Sequence, residues 1–188
     1  MENKNSSLEQ DVITLVPIGM DEQDFLKVLA RELEGAFNLP VRVVNRLELP
    51  VNSFNPRRNQ YQAEHFLKAL RRSLAPKKQE KVLGITDKDL YVEGLNFVFG
   101  QAELPGSHAV ISFTRLHQSF YDYPEDRDLF FKRVVKEAVH ELGHTFGLKH
   151  CPNSHCVMFF SNSLHDTDRK SYEFCQPCKK RLEQSLRT

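Results

Sequence analysis

The order of hydrophobic patterns along the 188 residues predicts an α/β fold, a mixed β-sheet with packed helices followed by a small cysteine-bearing C-terminal segment. Three observations carry that expectation. Strand-like and helix-like patterns alternate through the first half of the chain, as parallel strands joined by helical crossovers require. Three strand-like runs then follow at short intervals, which suits an antiparallel neighbour. All four cysteines, finally, lie beyond residue 150, so whatever they bind or bridge belongs to the end of the chain.

The elements follow in order. Residues 1–10, MENKNSSLEQ, are polar almost throughout and are expected to be flexible. Residues 12–18 are rich in β-branched side chains and end at Gly19, which predicts a strand. From Asp21 onward Phe25, Leu26, Leu29, Leu33 and Phe37 recur at spacings of mostly three and four, the pattern of an amphipathic helix. Pro40 opens a second strand with Val41, Val43 and Val44, and a polar loop through Asn55, Pro56 and Arg57 leads to a second helix carrying Phe66, Leu67, Leu70 and Leu74 on one face. Residues 82–85 with a continuation into 90–92, then 95–102, then 109–113 read as strands, separated by Asp-Lys-Asp and Pro-Gly turns.

A long helix comes next, expected to start near residues 124–126. Pro124 suits a first turn, and Glu125, Asp126 and Asp128 favour the positive end of the helix dipole. Phe131, Val135, Val139 (or Ala138), Leu142 and Phe146 form one stripe to bury against the sheet. At about 100° per residue His140 and His144 lie about 40° apart, on the side away from Leu142. One face is expected to anchor the helix while the other presents imidazoles.

Composition excludes several classes of function. With 26 basic and 25 acidic side chains the formal charge is +1, a balance that argues against the basic stripe needed for non-specific nucleic-acid binding. No run approaches the roughly 18 apolar residues of a membrane span, and the polar start holds no signal-peptide core. A cytoplasmic monomer with no nucleic-acid or membrane partner is expected, in a reducing compartment that makes clustered cysteines metal ligands rather than disulfides.

Residues 140–150 read His-Glu-Leu-Gly-His-Thr-Phe-Gly-Leu-Lys-His. Two histidines one helical turn apart can close on one zinc ion, and Glu141 between them can reach a zinc-held water without being a ligand. Gly147 can take the left-handed conformation that ends a helix and so return His150 as a third nitrogen ligand. The bland alternative is ordinary histidines beside a capping glycine; a glycine at that offset is about a 7% coincidence, and another histidine is rarer. His65, His108, His117 and His165 have no such company and are read as solvated or locally hydrogen-bonded.

Cys151 and Cys156, then Cys175 and Cys178, make two pairs able to build a closed structural zinc site of four thiolates. Such a site would fix the residue after His150 and tie its loop to a C-terminal helix over residues 179–186. A redox pair at Cys175 and Cys178, unconnected buried thiols, or His155 in place of one cysteine are the alternatives. Two zinc ions per chain, one catalytic and one structural, are therefore expected.

Residues 140–151 together with Cys156, Met158, Cys175 and Cys178 resemble the extended signature of the archaemetzincin family, a metzincin-type branch of the zinc metallopeptidases. Residues 82–92 and 96–100 are similar to that family too, so the likeness runs from Val82 to Cys178, about half of the chain. The resemblance implies a metzincin-like fold and hydrolysis of a peptide or protein substrate, with Glu141 as general base. It makes Met158 the Met-turn residue beneath the catalytic zinc, and it implies a cleft bordered by an antiparallel edge strand, for which residues 95–102 are the candidate. The chain then divides into a flexible start (1–10), an α/β catalytic core (11–150) and a Met-turn and four-cysteine subdomain (151–188). Two rival functions remain. One is a zinc-stabilised module whose cysteine knot and basic residues Arg169, Lys170, Lys179, Lys180 and Arg181 touch a protein or nucleic acid, a reading that leaves Glu141 without a purpose. The other is a peptidase-like fold that binds peptides with little turnover, separable only by assay. Tyr172 is available as an oxyanion-stabilising residue but lies between the cysteine pairs and is not assigned that role.

Overall fold

The computed structural model describes residues 11–74 and 80–187; the start expected to be flexible, residues 1–10, lies outside the described residues. In chain order the elements are β1 (Val12–Pro17), α1 (Gln23–Phe37), β2 (Val41–Val43), β3 (Phe54–Asn55), β4 (Gln60–Gln62), α2 (Ala63–Ser73), β5 (Glu80–Thr86), β6 (Leu90–Tyr91), β7 (Gly100–Ala102), β8 (His108–Ser112), α3 (Arg127–Thr145), α4 (Leu164–Arg169) and α5 (Gln176–Ser185). Among the described residues no helix is long and apolar enough to cross a membrane.

The main sheet runs β2-β1-β5-β8-β7. Its first four strands are parallel and β7 closes one edge antiparallel to β8, as the late short connections suggested. Both faces are covered, which is why β1 and β5 read as nearly continuous apolar runs. Ile13, Leu15, Ile85 and Ile111 pack under α1 and α3, against Leu26, Leu33, Ala138 and Leu142. Val16, Ile18, Val82 and Val110 pack under α2, against Phe66 and Leu70. Val157, Met158 and Leu182 from the C-terminal segment join the first of these clusters.

Several expectations need correction. The polar loop near residues 55–57 is a hairpin, β3-β4, and β6 does not continue β5 but pairs with β4 to make a second, three-stranded sheet. Asp89 forces that departure: Arg115 grips its carboxylate with two bonds of 2.7 and 2.8 Å, and Gln60 donates to it at 3.1 Å. Only residues 100–102 of the expected strand at 95–102 are strand. The carbonyls of Leu95 and Asn96 accept from Arg58 at 2.9 Å each, and Asn96 also from Gln60 at 3.0 Å. Side chains thus satisfy backbone groups that a ladder would otherwise pair.

The long helix begins at Arg127, within a residue of the expected 124–126. Asp126 is its N-cap, accepting from the Leu129 N–H at 2.9 Å, so Pro124 and Glu125 precede it. Helix α3 keeps no open face, since every residue from Arg133 to Thr145 is buried. Residues 156–170 cover the side turned away from the sheet, including the short helix α4, which no hydrophobic period announced. Arg133 clamps Asp168 with bonds of 2.6 and 2.7 Å, and Lys136 donates to the carbonyls of Thr167 and Asp168 at 2.9 Å. Lys170, read as part of an exposed basic tail, is instead fully buried and paired with Glu137 at 3.0 Å. Breaking such a pair from one side leaves a buried charge unpaired and costs about 3–5 kcal/mol. The last helix starts at Gln176 rather than near 179, with Cys175 as its N-cap and proline in its first turn.

The β7–β8 connection is held by one carboxylate. Glu103 accepts from Arg71 at 2.5 Å, from the N–H groups of Ser107 and His108 at 2.8 and 3.0 Å, and lies 3.2 Å from His108 Nδ1. Partial burial works to raise its pKa, but these donors outweigh it and lower the pKa from 4.5 to about 2. A depressed carboxylate stabilises the fold above its unfolded pKa and loses that contribution as pH falls through the folded one. Glu103→Gln is therefore expected to cost about 1–3 kcal/mol at neutral pH. The difference from the native chain should shrink between about pH 4.5 and 2, as read by denaturant melts across that range. A difference that stays constant with pH would contradict this assignment.

Candidate metal centre

Helix α3 delivers His140 and His144 one turn apart, and a glycine brings the third imidazole back. Gly147 has φ +86°. Its N–H donates to His144 O at 2.8 Å and the Leu148 N–H donates to Gly143 O at 3.1 Å, the two bonds of a Schellman cap. The chain reverses there, as its sequence predicted, and His150 returns to face the helix. Ring centroids of His150 stand 5.3 Å from His140 and 4.8 Å from His144, and one ligand atom from each of the three lies within 4.8 Å of the others.

The rings are oriented by what their other nitrogens bond. His140 Nδ1 donates to Val157 O at 2.8 Å and His144 Nδ1 to Leu148 O at 2.7 Å. With Nδ1 carrying the proton, each Nε2 keeps a bare lone pair, and the two Nε2 atoms face each other at 3.1 Å. Two nitrogens each about 2.0–2.1 Å from one tetrahedral zinc stand about 3.3–3.4 Å apart, so the donor set fits that ion. Burial first, and the neighbouring positive groups after it, keep these rings neutral. His140 is held well below the usual histidine range, His144 is lowered to about 4 and His150 is lowered as well, although the Val157 and Leu148 carbonyls oppose the shift at His140 and His144. Neutral imidazole is the form that binds a metal.

Glu141 sits beside this cluster with its side chain buried. Burial, reinforced by the charge of Glu137 and opposed by Lys170, raises its pKa from 4.5 to about 8. A cleft of about 190 Å³ opens onto it, walled on one side by residues 95–100 and on the other by Phe160, Ser161 and Asn162, with Glu137, His140 and Glu141 from α3 as its floor. The edge strand therefore borders the cleft as expected, but mostly as an irregular segment whose last residues alone join the sheet. Met158 is fully buried under α3: a Cβ added to Gly143 would meet its Sδ at 2.5 Å.

The four cysteines come together as predicted. Their sulfurs form a single cluster, Cys151 and Cys175 being 3.8 Å apart, and the Cys175 N–H donates to Cys156 Sγ at 3.4 Å. Burial pushes the Cys156 and Cys178 thiols up. It acts the same way on Cys175, where the Cys178 N–H and the neighbouring sulfurs outweigh it and bring the pKa down. The Cys151 N–H donates to Met158 O at 2.9 Å, so this cluster is tied both to His150 and to the Met158 segment. His155 is exposed and outside the sulfur cluster, and Tyr172 is exposed and away from the cleft. Among the other histidines, His108 is buried between Glu103 and Leu74 O, and His117 bonds Glu125 at 2.8 Å. The sequence reading gave Gly100, Glu137 and Gly143 no part in positioning the site and placed Lys170 in a basic tail. Of these only Glu137 had a legible signal, one turn before Glu141 on the same face of the helix.

The model of peptidase family M54 matches residues 18–184 of this chain. The chain belongs to that family. The archaemetzincin of Pyrococcus furiosus is 45% identical over 184 residues, covering 94% of this chain and 95% of the relative. A crystal structure of the archaemetzincin of Methanopyrus kandleri superposes with a TM-score of 0.83 at 37% identity, over 97% of this chain and 99% of that one. The structure of a zinc-dependent peptidase from Methanocorpusculum labreanum gives 0.79 at 31% identity, over 90% and 99%. As a member of family M54 the chain is a zinc metallopeptidase, a hydrolase whose substrates are peptides, and its mixed α/β fold is the one found in these two structures.

Proposed function

We propose that the chain hydrolyses peptide bonds at a catalytic zinc held by His140, His144 and His150, with Glu141 as general base. In the same reading Cys151, Cys156, Cys175 and Cys178 hold a second, structural zinc. The observation that carries this reading is the convergence of three imidazoles next to the buried Glu141 carboxyl, which with His140 lines the floor of a cleft. A zinc ion bound there supplies Lewis acidity, bringing the pKa of a water toward about 7 and stabilising charge on a carbonyl oxygen.

The chain's own groups do the rest. The Glu141 carboxylate takes the proton of the attacking water and returns it to the nitrogen of the departing amine. Its raised pKa suits that exchange, because a carboxylate in a poorly solvated site gains by accepting a proton. Phe97, Phe99 and Phe160 limit water around the reacting bond. Val157 O and Leu148 O hold two of the imidazoles in the tautomer that leaves Nε2 free. Met158 acts as the Met-turn residue below the imidazoles, supported by its contact with α3 between His140 and His144. Residues 151–188 serve as a segment fastened by the second zinc, which keeps His150 and Met158 in place over the core formed by residues 11–150.

Protein purified without chelators is expected to carry close to two zinc ions per chain by elemental analysis. A mild chelator should remove the one at the water-accessible histidine site first and leave the fold intact, since the thiolate site is closed. An unbiased peptide library should then be cleaved by the loaded form and not by the stripped one. Zinc-loaded protein that binds peptides without cleaving any would overturn the hydrolytic reading in favour of a binding module. Cysteines found paired as disulfides would overturn the second site.

A further inference from the structure

At Gly100 the edge strand comes closest to the helix that carries Glu141. A Cβ built on Gly100 falls 2.6 Å from Glu141 Cγ, 2.8 Å from its Cδ and 2.7 Å from Val110 O. Real Cβ atoms do not approach other heavy atoms so closely, so the volume of the missing methyl is the volume the Glu141 side chain occupies. Gly100 is not among the positive-φ residues, so its backbone dihedrals do not call for glycine; close approach does, by the Glu141 side chain and by the Val110 carbonyl of the paired strand.

Neither partner can step aside at little cost. Strand β7 is stitched to β8 from Gly100–Ile111 to Ala102–Ala109, with the Ser112 N–H donating to Phe99 O at 2.8 Å and the Glu103 N–H to His108 O at 3.0 Å just beyond. Helix α3 is buried along its length from Arg133 to Thr145. A side chain at position 100 therefore displaces the Glu141 side chain, and its contact with Val110 O adds a strain between β7 and β8 that turning the carboxyl does not relieve.

We propose that Gly100 is a positioning residue for the general base: its missing side chain leaves the slot between β7 and α3 in which the Glu141 carboxyl lies at the cleft floor. This rests on the reading of Glu141 as general base. A displacement of about 1 Å at such a group costs about 10²-fold in rate, whereas peptide binding along the cleft walls is left intact.

The test compares Gly100→Ala, Glu141→Ala and the double variant, each against the native chain. Gly100→Ala is expected to keep native zinc content, to lose about 10- to 10²-fold in kcat on a screened peptide and to hold KM within about threefold. Its drop in melting temperature should exceed the drop that the same change causes in the Glu141→Ala background. Truncating Glu141 removes the colliding Cγ and Cδ, while the contact with Val110 O is the same in both backgrounds. Should Gly100→Ala alone fail to fold, a double variant that folds supports the inference, and one that does not fold overturns it, because the Val110 O contact alone would then account for the glycine. Equal drops in both backgrounds would overturn it too. So would an unchanged kcat in Gly100→Ala while Glu141→Gln has lost turnover. An active Glu141→Gln would instead overturn the general-base reading, with the thermal comparison still reporting whether the two residues share one space.

Discussion

Glu141→Gln is expected to fold and to bind zinc like the native chain, while turnover of a screened peptide falls by about 10²-fold or more, the scale of a lost general base. The change keeps the size of a side chain that fills the slot opposite Gly100, so packing stays intact. It removes only the ability to take and return a proton. His144→Ala should behave differently: it deletes an imidazole whose Nε2 faces that of His140 at 3.1 Å, so the histidine-site zinc is lost along with activity while the thiolate-site zinc stays. Metal content measured beside rate separates the two defects. If Glu141→Gln cleaves as fast as the native chain at equal zinc loading, Glu141 is not the base and the histidine cluster must be reread as a structural or binding site.

Cys175→Ser is expected to lose stability and zinc together. Cys175 is the N-cap of α5, its sulfur lies 3.8 Å from that of Cys151, and its N–H reaches Cys156 Sγ. Binding of a structural zinc amounts to folding free energy, on the order of 10 kcal/mol in small zinc peptides. Losing a third of that lowers the melting temperature by about 10 °C, at about 2–4 °C per kcal/mol for a chain of this size. The loss should spread to the catalytic centre through Cys151, which follows His150 directly and whose N–H bonds Met158 O. Zinc per chain is then expected to drop by one or more, with activity reduced although no catalytic group has been touched. An unchanged melting temperature with an unchanged zinc count would remove Cys175 from the ligand set.

The candidate site was legible in the sequence where its geometry is local. A 3.6-residue period stacks His140 above His144, and a glycine three residues on takes the left-handed conformation that turns the chain back to His150. The covered sheet was legible for a similar reason: residues 12–18 and 82–85 are apolar on both sides of the strand, a pattern that suits burial between helices. The second sheet was not legible. Residues 54–62 carry no alternating pattern, and what draws β6 out of the main sheet is Arg115 reaching Asp89 from 26 residues away in sequence. Likewise nothing near Leu95 and Asn96 says that their carbonyls are taken by Arg58 and Gln60, so a long strand was expected where a cleft wall stands.

By itself, then, the sequence determined which residues can act: which imidazoles share a helix face, where that helix ends, which four sulfurs can meet and what family the pattern resembles. Backbone dihedrals and side-chain directions within one element follow from neighbours in the chain, so such features survive without knowledge of the fold. Tertiary structure alone decided the environment in which those residues act. It buried both helix imidazoles, drew Lys170 from an apparent surface tail onto Glu137, and placed Gly100 where Glu141 needs room. Burial and desolvation depend on what covers a face, and the covering groups come from positions far along the chain. No local period of apolar and polar residues encodes them.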